Sequence, residues 1–252
     1  TGGYVGFVAD MRAGGFRRLF EEKPVLLRLI ATLTRQWIDA TAEFARRLDD
    51  DRDLLRREFL SGADVAVADI EGRRSDRHND GRSVLIVRFE GGARVVYKPK
   101  DLRLDVAWLA LIGRLNASAP PIELRAARAF ARDNYGWTEF IEHTGVADRL
   151  ACERFYRRAG AWLALFHCFA ATDMHQENII AAGEHPVPID LETLLQSPAP
   201  PPKSEMTEGA AFDAASAIIA NSVSRVGMLP AYGRGPDNSV FGMGGLTSDW
   251  SS

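Results

Sequence analysis

The sequence predicts an α+β fold in which amino-terminal helices precede an antiparallel sheet and a second helical part. Three observations carry that expectation. Apolar residues recur at three-to-four spacing over 16–60, which marks amphipathic helix. From Val65 the period changes to that of strands, and Gly91-Gly92 divides two apolar runs as a hairpin turn does. A helical stripe then returns over 149–169. The expected partition is a helical cap or support over 1–62, a sheet lobe over 63–145 and a helical lobe over 146–252.

In the first part, Pro24 stands where a first helical turn tolerates it, and Leu27, Ile30, Ala31, Leu33, Thr34, Trp37 and Ile38 follow at helical spacing. Phe44, Ala45, Leu48, Leu54, Leu55 and Phe59 continue the pattern. The acids Asp49, Asp50, Asp51 and Asp53 between them read as a helix start or solvated junction. Val65, Val67 and Ile70 alternate as a strand, 71–82 is a polar loop, 84–89 is a second strand, and 94–98 is a third that ends in Lys98. A short helix is expected over 104–116, ending before Pro120-Pro121, then strands over 122–130 and 135–141. The helix over 149–169 should bury Leu150, Phe155, Ala159, Trp162, Leu163 and Phe166. A small hairpin about Gly183-Glu184 should follow. Beyond the proline-rich 198–203, a helix is expected over 212–226, and the glycine-rich stretch with Gly242, Gly244 and Gly245 reads as flexible or incomplete.

Composition excludes several function classes. A net charge of −3, with Lys and Arg interspersed among acids, argues against a nucleic-acid partner held by phosphate neutralisation. Two cysteines outside any C-x-x-C pair make no disulfide framework and fit a reducing, cytoplasmic setting. The longest apolar run, 159–171, is broken by His167 and is too short for a membrane span. With no initiator Met and no secretory signal, both ends look cut, as in a piece of a longer protein.

The chemistry concentrates in Thr172-Asp173-Met174-His175-Gln176-Glu177-Asn178, followed by Ile189-Asp190-Leu191-Glu192. Asp173 and Asn178 stand five apart, the spacing between the catalytic Asp and the metal-binding Asn of a kinase catalytic loop, and Asp190 supplies a further carboxylate on the next apolar run. Phosphoryl transfer needs one carboxylate for the hydroxyl proton and other oxygens to hold magnesium, so one acid cannot serve both. Upstream, Val95-Val96-Tyr97-Lys98 places a lysine at a strand end, where a kinase pairs it with ATP phosphates. The helix over 104–116 lacks the Glu that normally partners this lysine; Asp105 is its one acid, and Glu123 and Glu142 are the alternative partners. The 135–141 strand is where a hinge would offer backbone groups to adenine.

These segments resemble the dehydratase domain of class II lanthipeptide synthetases (the LanM type). The likeness lies in Ser75-Asp76-Arg77-His78-Asn79-Asp80-Gly81-Arg82-Ser83-Val84, Val96-Tyr97-Lys98-Pro99-Lys100, Gly136-Trp137-Thr138-Glu139-Phe140, Phe155-Tyr156-Arg157-Arg158-Ala159-Gly160, and the stretches 172–181 and 183–193. The resemblance implies a lipid-kinase-like two-lobed fold with an antiparallel sheet in the first lobe, a helical second lobe and extra amino-terminal helices. It implies ATP-dependent phosphorylation of Ser and Thr in a ribosomal precursor peptide carrying a leader, then phosphate elimination to dehydroalanine or dehydrobutyrine.

By that resemblance Lys98 binds ATP phosphates, Asp173 serves the incoming hydroxyl, His175 supports its loop, Asn178 and Asp190 hold Mg2+, and Asp76 and His78 take part in elimination. The family's downstream elimination Arg and Thr have no match before Ser252, and its carboxy-terminal zinc cyclase is missing. No zinc site is expected among two Cys and five His. The parent chain is thus expected to dehydrate a peptide, and this stretch alone to phosphorylate poorly or not at all. The alternatives are a phosphotransferase that stops at the phosphorylated product and a non-catalytic kinase-like fold that binds a leader peptide.

Overall fold

The computed structural model describes residues 2–72, 80–196, 214, 217–219, 221–234, 240–242 and 244–246. Among them are six α-helices and five antiparallel sheet strands, a mixed α+β architecture. The chain divides into two compact units, Thr1–Arg94 and Val95–Ser252.

In the first unit, α1 (Gly2–Asp10) continues through a π turn (Met11–Gly15) into α2 (Phe16–Glu22), α3 (Pro24–Asp50) and α4 (Arg52–Glu58). Pro24 opens α3 as expected, because a first-turn residue needs no intrahelical N–H. Of the periodic apolar residues on α3 only Phe44 is buried; Leu27, Ile30, Leu33, Trp37 and Ile38 are 41–61 % exposed. Phe44, Leu55 and Leu60 line one apolar groove with Val67, Ile70 and Phe89 of strands β1 (Val67–Glu71) and β2 (Leu85–Phe89). The turn after β2 needs positive φ at two consecutive positions, and Gly91 (84°) and Gly92 (90°) supply it without a Cβ clash.

Glu43 on α3 receives Arg82 just ahead of β2, with Oε2 2.6 Å from Nη2, and also pairs with Arg47. The Arg82 hydrogen bond holds the Glu43 carboxyl below its usual range, against the opposing effect of burial. A lowered folded value means that the stabilisation is present above the unfolded value of about 4.3 and is lost as pH falls through the folded one. Glu43→Gln should therefore cost about 1 kcal/mol at neutral pH, a figure discounted for partial exposure. Thermal melts should show the gap closing in acid.

The second unit begins within β3 (Arg94–Lys98), whose residues 95–98 pair with β5 (Tyr135–Glu139) in the register Val95↔Glu139 to Lys98↔Gly136, and β4 (Ala129–Arg132) flanks β5 on the other side. The strand expected over 122–130 is confined to its end. Asn116 of helix α5 (Arg103–Ala117) explains why: its side chain binds both backbone groups of Leu124, at 3.1 and 2.8 Å, in place of a strand ladder.

Helix α6 (Arg149–Cys168) starts at Asp148, whose carboxylate accepts the Ala151 N–H at 2.7 Å. This start turns Ala151 inward and leaves Leu150 62 % exposed, contrary to the expected stripe. Ala159, Trp162 and Phe166 are buried as expected, and Trp108 of α5 stacks on Trp162 and Phe166 in the core. Cys152 and Cys168 are free thiols on this one helix.

Strands β6 (Ile179–Ala182) and β7 (His185–Pro188) form the expected hairpin. Of the helix expected over 212–226, residues 214 and 217–219 are helical, and a 3-10 turn (Val223–Val226) follows a break at Ser222, whose hydroxyl accepts the Ser224 N–H. The other residues of that span outside 221–226 lie outside the described ones. Among the described residues no helix is long and apolar enough to cross a membrane.

Candidate active site

The β6–β7 hairpin sets the register of the site. Ile189 N–H donates to Asn178 O at 2.9 Å just beyond the paired strands, so Asp190 follows directly beside Asn178. Twelve residues of separation in sequence become neighbouring positions because a tight turn, with Gly183 at φ 61°, folds the segment back.

Lys98 ends β3 with its side chain almost fully buried, and Nζ donates to Ile189 O. The link between Lys98 and the Asn178 loop thus runs through Ile189–Asp190. Burial pushes the Lys98 ammonium below the ordinary lysine range, while Asp190 and then Asp105 pull it back. Asp105, in the first turn of α5 and 9 % exposed, is the second of these carboxylates. Burial raises its own pKa, against the pull of Lys98 and Lys100. The expected partners Glu123 and Glu142 are thereby corrected. The acid in the short helix acts at Lys98 because α5 directs its first turn inward.

Lys100 is an unanticipated part of the cluster. Its ammonium lies 2.7 Å from Asp190 Oδ1 and 2.8 Å from Glu192 Oε2. Burial works against the Lys100 charge, but Asp190 and Glu192 outweigh it and raise the pKa. Burial likewise opposes ionisation of Asp190, yet Lys98 and Lys100 prevail and hold its carboxyl below the usual range.

The loop over 172–178 is tied together by its own side chains. Asn178 Nδ2 donates to Asp173 O at 2.8 Å, leaving the amide oxygen as the atom to offer a cation. His175 Nδ1 accepts the Glu177 N–H at 3.2 Å, and its Nε2 lies 3.5 Å from Asp173 Oδ1. Asp173 sits at φ 63°, a left-handed conformation that costs a non-glycine residue energy and is held here by the surrounding bonds. Its carboxylate is 55 % exposed.

Beneath the loop, Met174 is fully buried and its N–H donates to Val226 O at 2.9 Å. Gly245 N–H bonds Gly227 O, and a Cβ at Gly245 would overlap Met174 O. Within the glycine-rich stretch, expected to be flexible or incomplete, the described Gly245 packs closely against this loop. The absence of a side chain lets its backbone reach the loop, a packing role that sequence alone does not distinguish from looseness. Asp76 and His78 lie outside the described residues.

Among the described residues no group of three or more His, Cys, Asp or Glu could hold a metal ion. Magnesium, however, takes few protein ligands, commonly one or two carboxylates with the rest supplied by phosphate and water. Asp190 and the Asn178 amide oxygen are hard donors of that kind. The Lys100 ammonium between Asp190 and Glu192 shows that positive charge is stabilised at this spot, so the residues fit the ion.

Over residues 24–251 the chain matches the family described as "Domain of unknown function (DUF4135)", and it belongs to that family. Among curated proteins it is similar to "Lacticin 481/lactococcin biosynthesis protein LcnDR2" of Lactococcus lactis subsp. lactis, with 24 % identity over 237 residues. The alignment covers 90 % of this chain and 24 % of that protein, so the chain spans about a quarter of its relative's length. The resemblance drawn from the motifs is borne out as a distant relationship to a lantibiotic biosynthesis protein.

Proposed function

We propose that the chain is the dehydratase part of a lanthipeptide synthetase with a kinase-like, two-lobed arrangement divided at 1–62, 63–145 and 146–252. It would phosphorylate Ser and Thr of a ribosomal precursor peptide carrying a leader and then eliminate the phosphate. The observation that carries this reading is the convergence of Lys98, Asp105, Lys100, Asp190 and Asn178 on the Ile189–Asp190 segment after β7. A buried lysine beside hard oxygen donors suits a metal-bound triphosphate. The relative's role in lacticin 481/lactococcin biosynthesis supports a peptide substrate.

In this reading Lys98 binds the phosphates of ATP. Asn178 and Asp190 would hold Mg2+, which would supply positive charge for the transferred group. Asp173 takes the proton of the Ser or Thr hydroxyl, and His175 fixes the Asp173 loop. Elimination removes the Cα proton while the Cβ–O bond to phosphate breaks, which leaves the Cα=Cβ double bond. Asp76 and His78 are assigned to that step.

Incubation of a chain competent for both steps with ATP, magnesium and a precursor peptide should give a phosphopeptide and then a peptide lighter than the starting one by one water, read by mass spectrometry. In a chain competent for both steps, His78→Ala should accumulate phosphopeptide. Dehydration at an unchanged rate in that variant counts against the elimination half.

A further inference from the structure

Lys98 and Lys100 stand two residues apart at the same strand end, yet the structure gives them different partners. Lys98 is buried and committed to the Ile189 carbonyl. Lys100, with its side chain 26 % exposed, is the residue that clasps both carboxylates. Asp190 Oδ1 accepts Lys100 and also faces Glu192 N–H at 3.3 Å, so one of the two carboxylate oxygens is already engaged by a cation. An ammonium and a divalent cation compete for the same lone pairs. Lysine's flexible four-carbon stem lets the head group leave one anion for another without moving the backbone.

We propose that Lys100 is a built-in stand-in for the divalent cation, a positioning residue whose ammonium keeps Asp190 and Glu192 together until a metal–polyphosphate displaces it onto a phosphate oxygen. Nucleotide binding is then an exchange of cations. Lys100 weakens metal binding in the absence of nucleotide and strengthens binding of the metal–nucleotide pair. The inference rests on the proposed use of this site for a metal-bound triphosphate.

The test uses Mn2+, an EPR-visible substitute for Mg2+, with the unaltered chain, Lys100→Met and Lys100→Arg, each checked for its fold by circular dichroism. Without nucleotide, Lys100→Met should bind Mn2+ about five-fold more tightly than the unaltered chain, because two partly exposed ion pairs no longer compete. Lys100→Arg, which keeps the charge, should stay near the unaltered value. With a non-hydrolysable ATP analogue present, Lys100→Met should bind the metal–nucleotide pair about ten-fold more weakly, as expected for a lost charge-assisted contact.

A measurement on the unaltered chain needs no variant to fold: labelling of Lys100 by an amine-reactive reagent, read by peptide mass spectrometry, should rise when Mn2+ is added. Equal Mn2+ affinity in all three proteins, or labelling indifferent to the metal, overturns the role of Lys100 while leaving the nucleotide site standing. No binding of metal or nucleotide by any of the three overturns both.

Discussion

Asp190→Asn should reduce phosphopeptide formation on the order of a thousand-fold, equivalent to about 4 kcal/mol of transition-state stabilisation. The substitution keeps the side chain's size and removes the carboxylate that answers two lysines at once, Lys98 through its field and Lys100 through a 2.7 Å contact. Magnesium-dependent nucleotide binding, followed by calorimetry, should fall with it. Asp190 is partly exposed and the hairpin that positions it is held by backbone bonds from Ile179↔Pro188 to Ile189–Asn178, so the fold should survive. Unimpaired phosphorylation by a folded Asp190→Asn protein would remove phosphoryl transfer at this site from consideration.

Much of the second unit was legible in the sequence because the local signals agreed. Lys98 could be placed at a strand end from Val95-Val96-Tyr97, and the return of Asp190 to Asn178 from the turn residues at Gly183-Glu184. The parts that escaped are those in which a side chain acts at long range. Asp105 was visible as the one acid of its helix, but its burial near Lys98 depends on how α5 packs. Lys100 had no local signal of its own, and only the tertiary position of Asp190 and Glu192, 90 and 92 residues away, gives it partners. Asn116 suppressed an expected strand by binding Leu124 across eight residues. Gly245 packs against a loop far from it in sequence. Periodicity reports which face of an element is apolar; it does not report which distant backbone that face meets, as the exposed apolar residues of α3 also show.

Trp162→Ala should lower stability by about 3–5 kcal/mol, in line with removal of a large aromatic side chain from a packed core. For a unit of this size that is a fall of roughly ten degrees in thermal midpoint. Trp162 is fully buried, stacks on Phe166 at 5.4 Å and on Trp108 at 6.1 Å, and its Nε1–H donates to Pro186 O at 2.8 Å. That hydrogen bond ties α6 to β7, the strand that leads into Asp190, so the core and the site share a support. Trp162→Phe separates the two roles: most of the ring packing remains, but the buried Pro186 carbonyl loses its donor at a cost of about 1–3 kcal/mol. Hydrogen exchange at Val187 and Ile189 should accelerate, and nucleotide affinity should weaken with it. Trp108→Phe is the matched control, since its Nε1–H is buried with no hydrogen-bond partner among the described residues, and its loss leaves no acceptor stranded. If the two Phe variants weaken nucleotide binding equally, Trp162 acts through general packing, and the tether to Pro186 does not position Asp190.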